Sequence, residues 1–116
     1  MRRMNPLVLV ALLALFGCGQ AAENLSIDDA EVAGFEKGEQ QIFQMVGAND
    51  GWSGEWAGDR VELYEFSDHG SVNHEAFEAS VQPNNISGWV EICVVRNLLM
   101  LSKGENACRE LERLAE

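Results

Sequence analysis

The sequence predicts an α+β domain: a four-stranded antiparallel sheet built from two hairpins, with helices packed against it, in the order α-β-β-α-β-β-α. Three observations carry this. Gly58-Asp59 separates two runs whose large residues recur every second position, a two-residue hairpin signal. Arg96-Asn97 separates two further apolar runs. The C-terminal residues Ala107, Cys108, Leu111, Leu114 and Ala115 recur at helical spacing, which marks one apolar stripe on a helix. Both periods in one short chain give a sheet that needs helices to cover it.

The elements follow in order. Ser26 and Asp29 have the spacing of a capping arrangement, and Phe35, Ile42, Met45 and Val46 continue on one helical face. Gly34 and Gly38 weaken the start of that helix, which leaves residues 39–46 as its firm part and Gly47 as its stop. Asn49-Asp50-Gly51 is a turn, because these residues tolerate positive φ. Trp52, Gly54 and Trp56 then share one face of a first strand. In the second strand, residues 60–66, Val61 and Leu63 share one face and Tyr64 and Phe66 the other. A helix starts at Ser71 or Asn73, with Ala76, Phe77, Ser80 and Val81 inward, and Pro83-Asn84-Asn85 stops it. Residues 89–95 and 98–101 pair across Arg96-Asn97, apolar on both faces and so covered twice. Ser102 and Glu105 open the last helix. Asn85-Ile86-Ser87 matches a glycosylation acceptor, read here as a chance match.

The start of the chain has a different character. Arg2 and Arg3 precede the apolar run of residues 7–16, which is too short to span a bilayer as a mature helix and has the length of a secretion signal. It ends in Leu15-Phe16-Gly17-Cys18. This resembles the lipobox of bacterial lipoproteins, with an apolar residue three before the cysteine and a small one just before it. Phe16 departs from the small residue usual at its position. The resemblance implies lipidation of Cys18, cleavage before it, and a mature chain that begins there. It divides the sequence into a signal peptide at 1–17, a tether at 18–25 and a single domain at 26–116. Gly19 rather than Asp after the cysteine implies an outer-membrane address, facing the periplasm. The alternative is an ordinary secretory signal cut after Gly17 or Ala22.

Export bears on the other two cysteines. Cys93 and Cys108 would reach an oxidising compartment, where an intramolecular disulfide is expected. Closing a loop of this length contributes about 3 kcal/mol on a chain-entropy argument. A metal role for the pair lacks a nearby His or further Cys at ligand spacing, so no metal and no cofactor is expected.

Loss of residues 1–17 removes Arg2 and Arg3 and leaves 6 basic against 19 acidic residues, a net charge of −13 where the full chain has −11. Such a balance argues against nucleic acid, whose phosphates need a basic face. It keeps the domain soluble and suits either a solvated surface or a basic protein partner.

The candidate chemistry is sparse. His69 and His74 are five apart with Asp68 and Glu75 beside them, a poor spacing for shared zinc coordination, and no Ser or Cys nucleophile is set beside them by a motif. Ser53 lacks the Gly-x-Ser-x-Gly frame of a hydrolase elbow. Asp50, Glu55 and Asp59 surround the first hairpin without the pattern of a calcium loop and read as solvated edge charges. Trp52 and Trp56 are the candidate binding residues, with Trp89 a third large aromatic; packing in a small core competes with stacking on a ligand, and Trp89 is expected to be largely buried, on the helix-facing side of its strand with Cys93 and Val95. The phrase at residues 46–52, followed by 61–66, resembles small uncharacterised exported bacterial domains and implies no activity. The expectation is a non-enzymatic envelope lipoprotein, tethered to the membrane by its lipid. It would be a binding or accessory module, in one form an inhibitor of a cationic envelope enzyme, with a small periplasmic hydrolase as the alternative.

Overall fold

A computed structural model describes residues 23–116. The expected signal peptide, the expected lipidation of Cys18 and the expected tether as far as residue 22 lie outside the described residues. Residues 23–25 are joined to the domain rather than free of it. Leu25 N–H donates to the side chain of Asn97 at 2.7 Å, Asn97 Nδ2 donates back to Leu25 O at 2.8 Å, and Arg96 donates to Glu23 O at 3.1 Å.

The fold is α+β with an antiparallel sheet, and the sheet has five strands where the sequence predicts four. The order across it is β1 (Glu36–Gln40), β2 (Asp50–Trp56), β3 (Asp59–Glu65), β5 (Leu98–Ser102), β4 (Glu91–Val95). The additional strand is β1, which takes residues 39 and 40 of the helix expected over 39–46; of that span only Phe43–Val46 is helical, as a single 3₁₀ segment that Gly47, at φ 80°, ends as expected. The helical face of Phe35, Ile42, Met45 and Val46 does not exist: Phe35 is buried, while Ile42 and Met45 are 71% and 80% exposed. Strand β1 is polar throughout and gains its order from β2, with Glu36 opposite Glu55 and Lys37 opposite Gly54. A Cβ at Gly54 would overlap the Glu36 carbonyl, so the close approach of β1 depends on that glycine.

The first helix is earlier and shorter than expected. Helix α1 (Ile27–Val32) has a complete capping box, Ser26 Oγ accepting from Asp29 N–H at 3.1 Å and the Asp29 carboxylate accepting from Ser26 N–H at 2.9 Å. The β2–β3 hairpin turns at Ala57-Gly58, one residue before the expected Gly58-Asp59. Both turn residues have positive φ, 53° and 86°, which suits the twist of the flanking strands. The second hairpin turns at Arg96-Asn97 as expected, with Arg96 at φ 55°.

Side-chain alternation divides the core into two layers. One face carries Val61, Leu63, Cys93, Leu98 and Met100, covered by α1 and by α2 (Asn106–Arg113), whose Ala107, Cys108 and Leu111 are buried. The other carries Tyr64, Phe66, Leu99 and Leu101 and is covered by the 3₁₀ segment His74–Val81 through Phe77. That segment, capped by Asn73 as expected, is 3₁₀ rather than α. Helix α1 therefore shares a face with α2.

The alternation expected along residues 89–95 breaks before β4. Gly88 has φ 83°, and the strand begins at Glu91 rather than Trp89. Trp89 consequently joins Ile92 and Val94 on the second face, opposite Cys93 and Val95, and is half-buried rather than deep in the core. Among the described residues no helix is long and apolar enough to cross a membrane.

Candidate functional site

The most organised side-chain cluster lies where α2 crosses β4. Strand register aligns Trp52, Leu63, Met100 and Cys93 in one row across four strands, and the next row on that face ends in Glu91 opposite Ser102. Helix α2 is aimed onto these rows by Asp59, whose Oδ2 accepts the Ala107 N–H at 2.9 Å. Ser102 holds the preceding turn through Gly104, its hydroxyl donating to Gly104 O at 2.6 Å. A Cβ at Gly104 would overlap the Asp59 carboxylate. Asp59, expected to be a solvated edge charge, therefore fixes the start of the helix that carries Cys108.

Cys93 and Cys108 form a disulfide, with Cα atoms 6.0 Å apart and a separation of 15 positions in sequence. Glu91, on the same face of β4 as Cys93, is the residue that sequence reasoning missed. One oxygen of its carboxylate is within 4.8 Å of both sulfurs, and Oε1 is buried without a hydrogen-bond partner. Glu112 Oε2 lies 4.0 Å from Cys108 Sγ, one helical turn on. The signal was present in the sequence, since Glu91 and Cys93 are two apart in a strand and must share a face.

A second feature is an open groove of about 380 Å³ at the β1–β2 edge of the sheet, lined by Glu36, Glu39, Ser53, Glu55 and Arg60 among others. Glu36 and Glu55 stand directly opposite each other, and Glu55 stands opposite Arg60. Like charges so placed destabilise a sheet. Ser53 is committed to backbone, its Oγ accepting from Glu39 N–H at 3.1 Å across the irregular part of the β1–β2 pairing.

The two candidate binding tryptophans differ. Trp56 is 2% exposed, its Nε1 donates to Ala33 O at 3.3 Å, and its ring meets Phe35 at 5.9 Å between centroids. It is core and offers no face to a ligand. Trp52 is half-buried on the same layer, with Lys37 Nζ 4.6 Å from its ring centroid. Trp89 lies on the other layer under Lys103, 5.2 Å from its ring centroid. The three do not converge.

His69 and His74 are also apart in role. His69 Nδ1 lies 2.8 Å from Arg96 O, and His74 pairs with Glu78 at 3.3 Å. Asn85 of the glycosylation-like motif organises its own loop, its amide donating to Gln82 O and Trp89 O and its carbonyl oxygen accepting from Ser87 and Gly88. Tyr64 donates its hydroxyl to Glu62 at 2.8 Å. Burial, then the Glu62 hydrogen bond and charge, hold that phenol well above its ordinary value of 10.0. No protein-family model matches the chain, and no curated protein or solved structure matches it.

Proposed function

We propose that this protein is a non-enzymatic accessory module of the bacterial envelope, anchored by a lipid on Cys18 at the outer membrane and facing the periplasm, where it binds a basic protein partner. A cationic envelope enzyme held inactive by the module is the specific form of this reading. The observation that carries it is the Glu36–Glu55 pair, two carboxylates set opposite each other at an exposed sheet edge in a chain of net charge −11. A basic side chain docked between them would relieve the repulsion, so binding is favoured by what the free module loses. The groove around the pair leaves room for such a side chain.

The test is capture from envelope extract by the immobilised protein at low and high salt, alongside a Glu36→Lys, Glu55→Lys variant, followed by assay of any captured enzyme. The reading expects one basic protein, released by salt and not retained by the variant. Capture that ignores both salt and the two substitutions contradicts it.

A further inference from the structure

The cluster at the α2–β4 crossing has a property that a structural disulfide does not require. A carboxylate oxygen that is buried without a donor is costly to hold, and Glu91 Oε1 is in that position, on a carboxylate that has an oxygen within 4.8 Å of both sulfurs. Nothing in the packing of α2 demands an acid there: Ala107, Cys108 and Leu111 fill the face with apolar groups. We propose that Cys93, Cys108 and Glu91 form a redox-gated site for a soft divalent cation of the zinc class, closed while the disulfide stands and opened when a dithiol reductant cleaves it.

The chemistry balances as follows. The dithiol transfers two electrons and two protons to the Cys93–Cys108 bond, leaving two protein thiols and the reductant as its own disulfide. Metal binding then releases the two thiol protons to solvent, and both thiolates and the Glu91 carboxylate donate to the ion. Zn–S bonds near 2.3 Å place two tetrahedral sulfurs about 3.8 Å apart. Side-chain rotation at Cα atoms 6.0 Å apart reaches that separation without moving the strand or the helix. Two thiolates select a soft ion over calcium or magnesium. Glu112, 4.0 Å from Cys108 Sγ at the more exposed side, or water, takes the fourth position.

The experiment uses the full chain with Cys18→Ser, so that two of its three cysteines remain. The protein is reduced with a phosphine, freed of reductant without oxygen, and titrated with Co²⁺ and then Zn²⁺, while circular dichroism follows the fold. The oxidised protein should give no thiolate-to-cobalt absorption. The reduced protein should give it at one ion per chain, with Zn²⁺ displacing Co²⁺. Glu91→Gln, which leaves both sulfurs and the oxidised fold intact, should weaken binding by at least about tenfold. Absence of the band in the reduced protein overturns the proposal. So does equal affinity in Glu91→Gln, the result expected if reduction unfolds the chain and the ion is held by two unstructured thiols.

Discussion

At the scale of single residues, Tyr64 offers a clean readout because it is the only tyrosine in the chain. Its phenol is raised above 10.0 by burial and by Glu62, whereas in the unfolded chain it titrates near the ordinary value. The neutral form is thus favoured by folding. Its stabilising contribution is complete below about pH 10 and is lost as pH climbs from there toward the folded value. Ultraviolet titration should show no phenolate absorption in the folded protein at pH 10, and absorption should rise together with unfolding at higher pH. A phenol that titrates near 10 in the folded protein contradicts the burial described.

The tryptophans make a second residue-scale comparison. Trp56→Ala should cost about 3–5 kcal/mol, the range for an aromatic lost from a core. Trp89→Ala should cost clearly less, since Trp89 is half-buried and outside the strand. Urea midpoints of the two variants decide it, and equal losses would place Trp89 in the core after all. The sequence alone favours a buried Trp89 because alternation is counted back from Cys93. Gly88, with its positive φ, interrupts that count, and only backbone geometry reveals where a strand begins.

At the scale of elements, legibility followed apolar pattern. Strands β2, β3, β4 and β5 and helix α2 each carry a buried face, and each is readable from spacing. The disulfide is readable for the same reason, since Cys93 and Cys108 both fall on inward stripes of elements that must touch. Strand β1 carries no apolar residue at all, so its order comes from β2 and not from its own sequence. Its one trace is Gly54, a small residue where another backbone comes close. Asp59 shows a further limit: its role as acceptor for Ala107 N–H joins residues 48 apart, which no local pattern encodes.

The β1–β2 pair also gives an element-scale prediction. Removing one charge from the opposed carboxylates, as in Glu36→Gln, should stabilise the protein by roughly 0.2–1 kcal/mol at low salt, with the gain shrinking as salt rises. The same substitution should weaken capture of a basic partner. Thermal melts at two ionic strengths measure the first effect, and destabilisation at low salt would show that the pair is not repulsive as placed.

At the scale of the whole molecule, the parts serve one arrangement. A small domain with a modest core is closed by a disulfide, and its N-terminal segment is pinned: Asn97, 1% exposed in the β4–β5 turn, bonds both Leu25 and Phe66 O. The chain therefore leaves the domain beside that turn. The acidic β1–β2 edge is separate from it, with β3 and β5 between β2 and β4. A lipid at Cys18 would hold the domain by one end while the carboxylate pair faces solvent.

That arrangement depends on the proposed anchor, and intact mass spectrometry of the protein from the membrane fraction of the cells that make it tests the anchor most directly. The account predicts a chain that begins at Cys18 and carries acyl mass on that residue, and it predicts that Cys18→Ser abolishes the added mass and moves the protein out of the membrane fraction. An unmodified chain recovered in the soluble fraction, whether it begins at Cys18 or at Glu23, would contradict it.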